Sequence, residues 1–240
     1  PLASFTNVAT AFQMPFPGND YDLNAKLYAS DEFQTLLSGF DEVNVKAFGA
    51  FQGGRRHIVG TKGFLKTPAD MKGVKIRVAE TPLLIDMFKA LGASPTPMPY
   101  GEIYTGLQNQ IIDAVEMDIT ALLVEKHYEV AKYVTKDAHY VWPMIVMMSV
   151  NKWNSLSPED QDAIKRAYAE TITWDAENLK KRDTEAEEEL KAKGVQFYEP
   201  NAEEVKALNE ASATVIQKYC DANQKVADFV KYAQSVKAGQ

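Results

Sequence analysis

The chain has 240 residues, 45% of them hydrophobic and 25% charged, with a formal net charge of −7 and a single cysteine, Cys220. That is a globular composition able to bury a core. It excludes an internal disulfide and a cysteine-based metal cluster, and with no basic patch it argues against a nucleic-acid partner.

No apolar run approaches the ~20 residues of a membrane span. The chain begins with Pro1 and shows no signal peptide, so a processed chain or a fragment is expected. Residues 2–15 mix small and apolar side chains, and Pro15, Pro17 and Gly18 then break any regular element. Residues 20–39 carry the helical face Tyr21, Leu23, Leu27, Tyr28, Phe33, Leu36, Leu37 and predict one amphipathic helix. Val43–Phe51 reads as a strand, Gly53 and Gly54 interrupt it, and Ile58–Thr61 resumes a short one. In DMKGVKIRVAE, Val74, Ile76 and Val78 alternate with Lys75 and Arg77, the period of a half-buried strand.

Thr81 and Pro82 then supply an N-cap and a first helical residue. Leu83, Leu84, Met87, Phe88 and Leu91 form the apolar face, and Gly92 ends the helix. Thr96–Pro99 is extended, Ile103 and Leu107 mark a short helix, and Ile111–Met117 is a strand or buried turn. Residues 119–134 read as helix. The apolar run PMIVMMSV within 139–150 suits a strand covered on both faces. Ser157 and Pro158 open about 35 helical residues, roughly 50 Å at ~1.5 Å each; two bent helices or one strut between lobes both fit. Val195–Tyr198 predicts a strand, and 202–218 and 222–233 predict helices. Strands alternate with helices, so the class is α/β.

No G-x-S-x-G, H-E-x-x-H, Walker A or G-x-G-x-x-G is present. His57, His127 and His139 are scattered without ligand spacing, and His127 reads as a surface or boundary residue. Glu116 and Asp118 lie two apart, on one strand face. Two carboxylates there offer a weak cation site; the plainer reading is a capping Asp118 and a hydrogen-bonded Glu116. Nothing assembles a nucleophile with a base, so no enzyme and no cofactor is expected. Arg77 stands at a strand end before a strand-to-helix turn, where α/β sheets bind ligands. Its guanidinium suits a carboxylate through paired N–H···O bonds. By itself such an arginine is more often a solvated or salt-bridged side chain than a ligand contact.

The segment TPADMKGVKIRVAETPLLIDMFKALGASPTPMPYGEIYTGLQNQIIDAVEMD, followed by HYEVAKYV and NKWNSLSPEDQDAI, closely resembles the solute-binding proteins of tripartite ATP-independent periplasmic (TRAP) transporters. The resemblance implies a two-lobe periplasmic binding-protein fold with hinge strands and a long helix spanning both lobes. Lobe I would comprise 1–53 and 143–183, and lobe II 54–142 and 184–240. The implied function is capture of a small organic acid by lobe closure and delivery to TRAP membrane permease subunits, by a periplasmic monomer. In the family the K-x-R-V arginine grips the substrate carboxylate, and Arg77 occupies that position. Arg56 matches a second basic residue, Tyr100 the pocket aromatic of P-M-x-(F/Y)-x-E-x-Y, and Glu80 a pocket-facing residue after the strand. Phe51 would add apolar surface.

Many members carry asparagine where this chain has Met117, followed by Asp118, which points to a less polar second subsite. The resemblance also implies about 70 further N-terminal residues; without their strands lobe I exposes apolar edges, so a fragment or a remodelled lobe is expected. In some relatives a cation bridges the ligand near the position of Glu116. A metal-dependent enzyme using Glu116 and Asp118, and a ligand-sensing domain on the same fold, are the alternatives.

Overall fold

The computed structural model describes residues 6–15 and 20–238; the predicted break at Pro17 and Gly18 lies outside them. The strands are β1 (Val45–Gly60), β2 (Lys75–Val78), β3 (Ser94–Pro97), β4 (Ala114–Asp118), β5 (Tyr133–Ser149) and β6 (Gln196–Tyr198). The helices are α1 (Tyr21–Tyr28), α2 (Asp31–Leu37), α3 (Pro68–Met71), α4 (Pro82–Ala90), α5 (Ile103–Gln108), α6 (Ile119–Val124), α7 (Val150–Asn154), α8 (Pro158–Ala192), α9 (Ala202–Ala222) and α10 (Gln224–Ala238). Among the described residues the strands form one six-stranded sheet in the order β3-β2-β4-β1-β5-β6. β2 runs parallel to β3 and β4, β5 runs parallel to β6, and β1 is antiparallel to β4 and β5. The α/β class is therefore as expected. No helix among the described residues is long and apolar enough to cross a membrane.

β1 and β5 pair from Val45↔Ser149 to Gly60↔Tyr133 and form the longest ladder of the sheet. The expected gap at Gly53–Gly54 does not end the strand. The ladder instead shifts register between Gln52 and Arg55, and again between Arg56 and Ile58, so bulges absorb the extra residues. Gly54 has φ +116°, and a Cβ there would lie 2.8 Å from the Cβ of Asp118. Glycine thus lets β1 approach the end of β4 closely.

The expected helix over 20–39 is two helices, because the Ser30 side chain accepts the Phe33 N–H and starts a new one. The expected helix over 119–134 stops at Val124. Lys126 takes φ +57°, which a helix does not continue, and β5 has begun by Tyr133. α8 is a single 35-residue helix and not two bent helices. The run PMIVMMSV is partly exposed rather than covered on both faces, with Met144 at 47%.

Two core clusters lie on the two faces of the β2–β4 region. In β4, Ala114 joins the cluster built with α4, α9 and α10 through Leu83, Phe88, Leu208 and Phe229. Val115 and Met117 join the cluster built with α5, α6 and the end of α8 through Ile103, Leu107, Leu122 and Leu190. This is the period-2 alternation of a strand covered on both sides. For the same reason β2 is not the half-buried strand its alternation suggested: Ile76, Arg77 and Val78 are all buried.

Candidate functional site

Parallel pairing puts the carboxyl ends of β2 and β4 at one end of the sheet, where α4 and α6 begin. The Thr81 side chain caps α4 by accepting from Leu84 N–H, and Asp118 caps α6 by accepting from Ala121 N–H at 2.7 Å. Arg56 lies opposite Asp118 in β4 and opposite Tyr140 in β5, so the three share a row across the sheet.

Arg56 Nε donates to Glu116 Oε2 at 2.7 Å, Nη1 to Asp118 Oδ2 at 3.0 Å, and Nη2 to the Glu116 carbonyl at 2.6 Å. Its guanidinium also stacks on the Trp142 ring, 5.1 Å from the centroid. Glu116 is fully buried and further accepts from Tyr140 O–H at 3.3 Å and Ala79 N–H at 3.3 Å. Arg77 is 4% exposed; its Nε and Nη2 both donate to the Met98 carbonyl, at 3.0 and 2.8 Å. The nearest carboxylate oxygen to Arg77 is Glu116 Oε1, 3.6 Å from Nη1, beyond hydrogen-bonding distance.

The two arginines therefore differ electrostatically. Burial works against the Arg56 cation, yet Glu116, Tyr140 and Asp118 hold its pKa above the usual arginine value. Burial also works against Arg77, Glu116 offsets this only in part, and the Arg56 charge adds to the penalty, so its pKa is lowered. Burial disfavours the Glu116 carboxylate, but Arg56 and then Arg77 bring its pKa below the ordinary glutamate value. Burial, followed by the Glu116 charge, pushes the Tyr140 phenol well up.

Beside this cluster a groove of about 250 Å³ is lined by Gly53, Tyr100, Asp118, Thr120, Glu125 and Arg182, among others. Tyr100 is 45% exposed; burial, then the charges of Glu125 and Asp118, push its phenol up to about 12. Glu80 is exposed just beyond β2. Arg56, Arg77, Glu116 and Asp118 thus come together, and of these Asp118 shares the groove lining with Tyr100. Phe51 packs on Tyr168, with ring centroids 5.5 Å apart, and does not line the groove. Met117 is fully buried on the opposite strand face from Glu116, its sulfur 3.2 Å from His127 Nδ1. His127 is not the surface or boundary residue expected but is 3% exposed, packed against the rings of Tyr100 and Tyr104. Tyr140, Trp142, Thr120, Glu125 and Arg182 were not singled out from sequence. The alternation in HYVWP, placed opposite GGRRH, is the signal that would have paired Tyr140 and Trp142 with Arg56.

Residues 1–223 match the family of bacterial extracellular solute-binding proteins, family 7. The chain belongs to this family. It is 33% identical over 163 residues to the 2,3-diketo-L-gulonate-binding periplasmic protein YiaO of Escherichia coli, covering 68% of this chain and 50% of the relative. It is 34% identical over 205 residues to the ectoine/5-hydroxyectoine-binding periplasmic protein UehA of Ruegeria pomeroyi, covering 83% of this chain and 56% of the relative. The chain therefore spans about half the length of these curated relatives. Among solved structures, a TRAP periplasmic solute-binding protein of Pseudomonas putida with bound D-glucuronate superposes with a TM-score of 0.87 at 32% identity, over 97% of this chain and 74% of that one.

In this family 7 chain a second buried polar group underlies Arg56. His57 Nδ1 accepts from Ala138 N–H at 3.1 Å, which places its proton on Nε2, and Nε2 has no partner among the described residues. His139 Nδ1 donates to Asp137 Oδ2 at 2.7 Å, and Asp137 Oδ1 accepts from Ile58 N–H. Burial, then the charges of Arg55, His139, Lys136 and Arg56, lower the His57 pKa well below its ordinary value. A depressed histidine contributes stability that is complete above about pH 6.5, the unfolded value, and is lost as pH falls toward the folded one. Unfolding free energy is expected to fall below that pH with a slope of up to ~1.4 kcal/mol per unit. Denaturation curves from pH 8 to 5 check this: His57→Gln, which keeps an acceptor for Ala138, flattens that limb, and an unchanged slope would refute the assignment.

Proposed function

We propose that this chain is the ligand-binding portion of a periplasmic TRAP solute-binding protein. It captures a small organic acid by closure of two lobes and delivers it to TRAP membrane permease subunits, acting as a monomer and not as an enzyme. The observation that carries the reading is the contrast between the two arginines. Arg56 is hydrogen-bonded to both Glu116 and Asp118, whereas Arg77 has, among the described residues, only the looser ion pair to Glu116 at 3.6 Å and a lowered pKa. An anion that brings its own carboxylate supplies what the protein leaves out, through charge-assisted bonds each worth about 1.5–3 kcal/mol.

We place the lobe boundaries at 1–53 and 143–183 for lobe I and 54–142 and 184–240 for lobe II. The register shift between Gln52 and Arg55, opposite Pro143 and Val141, supports a hinge at that border, and α8 supplies the strut. Closure is then a population shift set by the ligand's preference for the closed form. The metal-enzyme alternative has less support, since Glu116 and Asp118 grip Arg56 between them and a cation would have to displace a guanidinium. Isothermal titration against a panel of small carboxylic acids and their uncharged amides tests the proposal. Binding of one or more acids with loss of affinity for the matching amide is expected. Equal affinity for acid and amide, or no binding across the panel, would overturn it.

A further inference from the structure

Arg77 is held by a peptide group more closely than by a carboxylate. Its Nε and Nη2 both donate to the Met98 carbonyl, at 3.0 and 2.8 Å. That carbonyl lies in the stretch Pro97–Met98–Pro99, where β3 ends. β3 runs beside β2 with Pro97 opposite Val78, and Met98 N–H continues the ladder by donating to the Val78 carbonyl at 3.3 Å. The Met98 side chain is buried in the cluster that holds Ile103 and Leu107. It packs so closely on α5 that a Cβ at Gly106 would lie 3.1 Å from its Sδ. Met98 is thus anchored by its N–H and by its side chain, which fixes where its carbonyl points.

We infer that Met98 and Pro99 are positioning residues for ligand capture: the peptide unit they share orients the Arg77 guanidinium without neutralising it. This deepens the carboxylate reading of Arg77 and rests on it. A carbonyl is a neutral acceptor, so it fixes the direction of the guanidinium and leaves the positive charge in place. The carboxylates of Glu116 and Asp118, by contrast, balance the charge of Arg56 as they hold it. With the Nε–Nη2 edge of Arg77 engaged, its remaining donors lie at the Nη1–Nη2 end, which still matches a carboxylate through two parallel bonds. Pro99 suits the peptide to this task in two ways. It carries no N–H, so the peptide unit turns an acceptor and no donor toward the cation. It also confines the preceding Met98 to extended backbone, and its own ring holds φ, here −54°.

The test joins side-chain NMR to titration calorimetry with pyruvate, lactate, succinate and benzoate. In the unmodified protein the Arg77 Nε–H, assigned by its loss in Arg77→Lys, should exchange with solvent far more slowly than that of the exposed Arg166. Pro99→Ala should speed that exchange and weaken binding of whichever acid binds by roughly fivefold or more, the worth of about one hydrogen bond. Pro95→Ala, in the same strand but away from the Met98 carbonyl, is the control and should leave exchange and affinity within about twofold. Free exchange of the Arg77 Nε–H in the unmodified protein, or a Pro99→Ala protein that keeps its affinity, overturns the positioning role alone. Equal losses in the two proline variants, or a Pro99→Ala chain with no cooperative melt, show a general support of β3 and overturn it as well. Absence of binding to all four acids, in a protein that melts cooperatively, overturns the Arg77 reading and this inference with it.

Discussion

Glu116→Gln should lower the unfolding free energy by about 3–5 kcal/mol, the range seen when one partner of a buried ion pair is removed. Glu116 is fully buried and its two oxygens receive Arg56 Nε, Tyr140 O–H and Ala79 N–H, with Arg77 Nη1 close by. Glutamine keeps the shape but removes the charge, leaving two buried guanidiniums balanced only by Asp118. It also turns one acceptor into a donor among donors. Urea denaturation measures the loss, and a change under about 1 kcal/mol would show that the cluster is solvated rather than dry. The acid limb has a definite sign. Glu116 has a depressed pKa, so its contribution is complete above about pH 4.3, the unfolded value, and disappears as pH falls through the lower folded one. The His57 limb opens at the higher pH, about 6.5, so in a single pH series its onset is read before that of Glu116.

The parts legible in the sequence were those fixed by neighbouring residues. Thr81 and Pro82 announce α4 because capping is local, and Ser157 and Pro158 announce α8 for the same reason. The placement of Arg77 at a strand end before a helix needs only the alternation of β2 and that cap. What was not legible depends on distant partners. Gly53 and Gly54 look like a strand end, but pairing to β5 carries the strand through them by bulges. Ser30 is the exception: its bond to Phe33 N–H is as local as the caps of α4 and α8, but the apolar face that runs on through residues 20–39 masks the break. Arg56 reads as a ligand residue by motif position. Its carboxylate partners lie about sixty residues away, and the strand pairing that unites them leaves no trace in local pattern. His127 was misplaced for the same reason, since Tyr100, Tyr104 and Met117 cover it from other elements.

Arg77→Ala is expected to weaken binding of the acid identified by titration by about 2–5 kcal/mol, roughly 30-fold to several thousand-fold, the cost of leaving a buried charge unpaired. The same substitution should leave the unliganded protein about as stable as before. Arg77 is buried, its two hydrogen bonds go to a single carbonyl, and its nearest carboxylate is already committed to Arg56, so its removal relieves a cation that the fold compensates poorly. Arg56→Ala should do the reverse: it strips Glu116 and Asp118 of their shared partner and costs stability in the range given for Glu116. Arg77→Lys retains a charge without the planar fork, so it should recover only part of the lost affinity. Calorimetry and urea denaturation on the three variants separate the roles. If Arg77→Ala unfolds the protein as Arg56→Ala does, the guanidinium at 77 is a structural counterion to Glu116, and the acid-binding reading fails with it.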